Sequence, residues 1–417
     1  MWIKYYPVDP KLEEDACSYV DKLLKGDITQ HSSNIRRKKP EHNVYPMEPI
    51  HNSLPISQSD CSIEEGILER FPFLRDIEKE VSPADPTSIQ HVWSDNQLDE
   101  CLARPFHTPI FWRGYTQQYP LHGIPLSISE FFKRLGQLGI ESLHVHDHTR
   151  EVPNCVLGLS DIKTLFESTE LEGLNCLDIR NEFCSRVPPH VSRFDSLHMA
   201  FRRAGKSVSK DAPLKVRWDY ADHEFFLLSG KNSVSTIHVD TAGQLTYIIG
   251  ISGCKTWYLP RKLTTDAIDK LTTFGSSTPE GYGGWIKINI QPGDLLIMPP
   301  GCLHAVFTPE NSLTFGGNFY TLSHLGNSLR MLEKQAKFGY NFSNESIKED
   351  DYKNFLLMLD TPEIEMNSEL RTSIASISQS WDVTGDHINE GFPRLHQKLY
   401  NRICQARDKL LRTYEIV

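Results

Sequence analysis

The residues in this chain best suited to chemistry are His238-Val239-Asp240 and, further on, His304. In a strand, side chains at i and i+2 point to the same face. His238 and Asp240 can therefore both point into the interior of a β-barrel. His304 opens another strand-like run, HAVFT, just after the turn Pro299-Pro300-Gly301. Two imidazoles and one carboxylate on one face of a metal leave three positions open, the facial triad of non-haem Fe(II) oxygenases. Such an iron can take a bidentate 2-oxo acid and still accept O2. An H-x-D alone is weak. Here a basic residue, Lys255, follows in the next strand-like run, and Gly293-Asp294 leads through Pro299-Pro300-Gly301 to the third ligand.

Two competing clusters carry less. His144-Val145-His146-Asp147-His148 alternates like a metal motif, but no second cluster at suitable spacing completes it. Cys302 precedes His304 by two residues and reads as a small buried apolar side chain rather than a ligand.

The elements that must position these residues lie between about 213 and 322. Short β-like runs follow one another between Gly, Pro and Asn: HEFFLLS, STIHVD, QLTYIIGI, KTWYLP, WIKINI, DLLIMPP, HAVFTP and SLTFGGNFY. Many short strands with regular turn signals predict a closed or double-sheet β architecture. Upstream, 1–26 reads as a helix capped by Asp9, with Pro10 in its first turn and Gly26 closing it. Residues 27–64 read as an extended or disordered linker rich in Ser, Pro, His and Asn. Residues 65–104 are a helical N-terminal segment, 105–322 the catalytic domain and 323–417 a C-terminal helical region. Within 105–322, Leu126–Gly139 reads as an amphipathic helix and Glu141–Asp147 as a strand.

The motifs resemble one family. Ser235-Thr236-Ile237-His238-Val239-Asp240, Lys255-Thr256-Trp257-Tyr258-Leu259, Gly293 through Val306 and Phe315-Gly316-Gly317-Asn318-Phe319 are similar to the JmjC-domain Fe(II)/2-oxoglutarate dioxygenases. Within that family the chain is most similar to the histone lysine demethylase branch that often carries PHD fingers. The resemblance covers about 105–322. It implies an α+β chain, mainly β with α flanks: a double-stranded β-helix (a jelly-roll, cupin-like JmjC barrel) with N- and C-terminal helices. It also implies that His238, Asp240 and His304 hold Fe(II). Lys255 and Ser235 would receive the distal carboxylate of 2-oxoglutarate, and Asn318 would lie near the cosubstrate and the methylated side chain. Gly316 and Gly317 would leave room for a substrate. One departure stands out: where the family commonly has a Tyr or Asn that helps hold the cosubstrate, this chain has Ile248. Tyr247 is adjacent, but strand alternation turns it to the other face.

The chain has 417 residues, 39% hydrophobic and 24% charged, with 44 Lys+Arg against 54 Asp+Glu and a formal charge of −10. That balance argues against sequence-specific nucleic-acid binding and suits a basic peptide partner. No apolar run approaches the ~20 residues of a membrane span. The N-terminus has no apolar signal core, and the nine scattered cysteines read as reduced thiols, so a nuclear or nucleocytoplasmic protein is expected. Arg36-Arg37-Lys38-Lys39-Pro40 is either a short import signal or, more simply, a solvated charge run. The leading expectation is demethylation of a methyl-lysine in a histone tail by N-methyl hydroxylation, with Fe(II), 2-oxoglutarate and O2 consumed and formaldehyde released. The alternatives are hydroxylation of a protein or small molecule, since no PHD, CxxC or Tudor-like reader is present, and an idle JmjC scaffold.

Overall fold

The structure, a computed structural model, describes residues 63–84, 88–147, 154–168, 173–183, 188–207, 223–262, 265–274, 281–339, 342–343, 345–360, 374, 377 and 393–414. The expected helix over 1–26, the basic cluster at 36–40 and nearly all of the expected 27–64 linker lie outside them.

Two short helices come first, α1 (Glu65–Arg70) and α2 (Pro72–Glu80), then β1 (Gln90–His91), α3 (Asp95–Leu102), β2 (Ile110–Trp112) and α4 (Tyr115–Gln118). The predicted amphipathic helix is α5 (Ile128–Gln137). Its Ser127 cap accepts from the Glu130 amide at 3.1 Å, satisfying one of the free N–H groups of the first turn. Next come β3 (Ser142–Asp147), β4 (Asn154–Gly158), α6 (Leu159–Glu167), β5 (Leu174–Arg180), α7 (Pro189–Phe194) and α8 (Ser196–Ser207). The eight predicted β runs are all strands: β6 (Glu224–Ser229), β7 (Val234–His238), β8 (Leu245–Ser252), β9 (Lys255–Pro260), β10 (Trp285–Ile290), β11 (Leu295–Met298), β12 (His304–Phe307) and β13 (Ser312–Phe319), with α9 (Thr265–Phe274) between β9 and β10. The described C-terminal helices are α10 (Leu325–Phe338), α11 (Glu349–Leu359) and α12 (Pro393–Tyr414).

The strands form a nine-stranded sheet, β1-β2-β11-β8-β13-β6-β5-β3-β4, and a four-stranded sheet, β10-β9-β12-β7. Alternation along each strand divides the buried residues into layers. On β8, Leu245, Tyr247 and Ile249 face outward and join Phe131, Leu135 and Ile162 of α5 and α6 in one core. Ile248, on the opposite face, packs between the sheets with Trp257, Ile288 and Val306. The outer face of the small sheet is covered by α1, α2 and α9 through Ile67, Leu74, Ile77 and Leu271. A fourth core joins α8, α10, α11 and α12 and includes Ala242 and Tyr320 at the edge of the barrel. Because helices cover both sheets, β8 and β9 are buried almost residue after residue rather than on alternate residues. Among the described residues no helix is long and apolar enough to cross a membrane.

Candidate metal centre

His238 ends β7 and His304 starts β12. They are direct partners across the antiparallel pair, so their rings lie side by side with centroids 4.2 Å apart. Strand β7 stops at His238, but the backbone at Asp240 stays extended (φ −68°, ψ 156°), which keeps its carboxylate on the same side as His238. The chain then turns sharply through a 3-10 turn, Thr241–Gly243, with Ala242 at φ 53°. Gln335 of α10 holds that turn: its Oε1 accepts from the Ala242 amide at 2.7 Å, and its Nε2 donates to Thr241 Oγ1 at 3.1 Å.

The potential ligand atoms of His238, Asp240 and His304 all lie within 4.8 Å of one another, and this is the one such group of three among the described residues. Both imidazoles are wired for a metal. His238 Nδ1 contacts the Thr236 carbonyl at 2.7 Å and His304 Nδ1 the Cys302 carbonyl at 2.9 Å. A carbonyl only accepts, so each Nδ1 carries the proton and each Nε2 keeps a lone pair. Burial holds both imidazoles neutral, down to about 4. Burial also pushes the Asp240 carboxyl up, a cost that a bound cation would reverse. His304 Nε2 is 3.8 Å from Asp240 Oδ1, while Oδ2 accepts from the Thr246 hydroxyl. Thr246 Oγ1 also lies 2.9 Å from the Asn318 amide. One hydroxyl proton cannot serve both neighbours. With Asp240 ionised it goes to the carboxylate, and the Asn318 amide then turns its NH2 toward Thr246. The donor set fits a divalent metal with open positions, as two neutral imidazoles and one carboxylate require.

These residues face a cavity of about 610 Å3, open mouth included, between the two sheets. Ser235, Lys255 and Asn318 all line it. Lys255 is 2% exposed. Among the described residues its ammonium has no carboxylate at ion-pair distance; the Trp257 ring lies 5.9 Å away. Burial pulls it down to about 7, with only the charge of Asp178 acting the other way. A buried ammonium with no carboxylate at ion-pair distance among the described residues suits an anionic group.

Ile248 faces the cavity, so the departure at this position makes one wall apolar. Tyr247 does not replace the missing polar group. It is 1% exposed on the opposite face, where its hydroxyl donates to Glu224 Oε1 at 3.0 Å, and Glu224 also accepts from Asn181 Nδ2 at 2.7 Å. Gly316 and Gly317 serve this arrangement. A Cβ at Gly316 would come within 2.8 Å of Ile248 Cδ1, and one at Gly317 within 2.6 Å of the Tyr247 ring. The glycines make room for the chain's own side chains. Phe225 lines the cavity, whereas Phe226 is core.

The competing clusters stay apart. His144 is exposed on β3, which pairs with the edge strand β4, and belongs to no metal-ligating group of three among the described residues. His148 lies outside those residues. Cys302 is buried, and burial pushes its thiol well up, so it stays protonated and offers no thiolate.

Three polar residues of the cavity escaped the sequence reading. Thr246 shares the strand parity of Ile248, a signal that was available. Asp178 sits where the β5–β6 register shifts, with φ 50°, and Glu345 follows α10. No local pattern marks either one. Both carboxyls are pushed up, Glu345 to about 8, first by burial and then by neighbouring carboxylates.

Comparison with known proteins agrees with this geometry. The JmjC domain profile matches residues 215–324. A "JmjC domain-containing histone demethylation protein 1" of Debaryomyces hansenii is 35% identical over 282 residues, 61% of this chain and 53% of that protein. The protein of the same name from Saccharomyces cerevisiae is 34% identical over 178 residues, 40% of this chain and 34% of that one. The chain thus spans about half the length of the first of these relatives and a third of the second. Motif, fold, ligand set and relatives converge on similarity to the JmjC domain over residues 215–324.

Proposed function

We propose that the chain is an Fe(II)- and 2-oxoglutarate-dependent demethylase of methyl-lysine, acting on a histone tail in the nucleus. The observation that carries the reading is the pairing, in one cavity, of the His238, Asp240 and His304 donor set with a buried Lys255 that has no ion-pair partner among the described residues. Bound iron with 2-oxoglutarate would supply oxidation of a C–H bond by O2, giving succinate and carbon dioxide. The chain's own residues do the rest. His238 and His304 present lone pairs oriented by their carbonyl partners. Lys255 and Ser235 receive the distal carboxylate of the cosubstrate. Trp257, Val306 and Ile248 exclude water around it. Asp178 and Glu345 bring two carboxyls with raised pKa to the same cavity, and a cationic side chain bound beside them would favour their ionised forms, which suits a cationic side chain more than a neutral one. The names of the yeast relatives support a histone as substrate.

The test is mass spectrometry on a panel of methylated histone peptides with Fe(II), ascorbate and 2-oxoglutarate, with His238→Ala as control. Loss of one CH2 per turnover, with formaldehyde released and none in the control, is expected. Gain of one oxygen instead makes the protein a hydroxylase. Succinate absent from the iron-loaded protein makes it a scaffold.

A further inference from the structure

Asp240 has two carboxylate oxygens, and a facial triad needs one. Oδ1 is the oxygen that faces His304 Nε2, at 3.8 Å. Oδ2 is taken by the Thr246 hydroxyl. Thr246 is 3% exposed, and its hydroxyl bonds within the cavity wall. Its place is set from two sides. Strand β8 pairs Thr246 with Met298 of β11 and with Asn318 of β13, so its backbone is fixed in the middle of the large sheet. The contact also crosses between the two sheets, since Asp240 continues from β7 of the small one.

We propose that Thr246 is a positioning residue that keeps Asp240 monodentate, and so preserves the open metal positions the reaction needs. This rests on the reading of His238, Asp240 and His304 as the metal site. A carboxylate with a free second oxygen can swing to bind a metal through both, filling a position meant for the cosubstrate or O2. A hydroxyl donating to Oδ2 opposes that swing, because a bidentate carboxylate must give up a charge-assisted bond and leave the hydroxyl only the neutral Asn318 amide. Thr at this position is therefore a choice of chemistry as well as of β propensity: Val has the same shape and the same strand preference, and it lacks the donor.

The experiment uses the full chain with Mn(II) and Co(II) as probe metals and no 2-oxoglutarate, comparing wild type with Thr246→Val, Thr246→Ser and His238→Ala. The expected results for Thr246→Val are a Mn(II) affinity raised roughly several-fold by the second Asp240 oxygen and a Co(II) absorption spectrum shifted toward higher protein coordination. Thr246→Ser, which retains the hydroxyl, should restore both. Thr246→Ala gives the same reading should the Val variant fail to fold. A Thr246→Val or Thr246→Ala protein with wild-type Mn(II) affinity and an unchanged Co(II) spectrum overturns the proposal. His238→Ala separates the two levels: if it too binds Mn(II) like wild type, the metal site itself is misplaced, and Thr246 has no metal ligand to position.

Discussion

Lys255 is the residue whose state depends most on what the cavity holds. Its ammonium is buried, and burial pulls it down to about 7. Lys255→Met keeps the length of the side chain and removes the charge. Hydrogen bonds to charged groups contribute roughly 1.5–3 kcal/mol, so 2-oxoglutarate affinity should fall by about 10- to 150-fold. Mn(II) affinity should stay as in wild type, and the ligand-free protein should melt at a higher temperature, because a lone buried charge is removed. Calorimetric titration and thermal melts read all three. Unchanged 2-oxoglutarate binding would remove Lys255 from the cosubstrate site.

His324 offers a second test at this scale, away from the metal. It is 2% exposed, Nε2 accepts from the Phe106 amide at 2.9 Å, and Nδ1 lies 2.8 Å from Thr321 Oγ1. Burial lowers it from the ordinary 6.5 to about 4. As the pH falls, the unfolded chain takes up this proton first. The stability tied to neutral His324 is therefore complete above pH 6.5 and is lost as pH falls through 4, a loss on the order of 3 kcal/mol at most. His324→Asn should flatten the fall in urea-unfolding stability between pH 7 and 4.5 relative to wild type. An equal slope in both proteins would place the proton uptake elsewhere.

At the scale of elements, the metal site depends on a turn that strand logic does not describe. Alternation along β7 and β8 assigns His238, Thr246 and Ile248 to the cavity and Tyr247 away from it, and those assignments were legible from period two alone. The turn at Thr241–Gly243 was not. It needs left-handed backbone at Ala242 (φ 53°) and Gly243 (φ 62°), and a Cβ on Gly243 would meet the Ser328 carbonyl oxygen at 2.2 Å. Helix α10 presses against the turn, and Gln335 hydrogen-bonds it while its Nε2 is also anchored to the Glu345 carbonyl at 2.8 Å. Gln335→Met leaves the buried Ala242 N–H without an acceptor. A loss of about 1–3 kcal/mol is expected in chemical denaturation. Mn(II) affinity should fall several-fold although no ligand is touched. A destabilised protein with unaltered Mn(II) affinity would mean that Asp240 holds its place without the turn.

At the scale of the whole molecule, the cavity is lined by segments far apart in the chain. The metal ligands come from the small sheet or directly follow it, and Thr246, Ile248 and Asn318 come from the large one. Asp178 arrives from β5 and Glu345 from beyond α10, after the end of the matched JmjC profile. Glu345→Gln should raise the KM for a dimethyl-lysine peptide several-fold while Mn(II) and 2-oxoglutarate affinities stay unchanged. An unchanged KM would take Glu345 out of substrate recognition.

What the residues determined by themselves was the chemistry of the centre. The H-x-D spacing, the later histidine and a run of short strands with turn residues between them specify two imidazoles and a carboxylate on one face, because strand periodicity is a local property of the backbone. Tertiary structure decided what surrounds that centre. The oxygen of Asp240 that Thr246 holds, the side chains for which Gly316 and Gly317 make room, and the meeting of Asp178 with Glu345 follow from sheet pairing, a register shift and the docking of a helix. Those contacts join residues distant along the chain, and no local period encodes them.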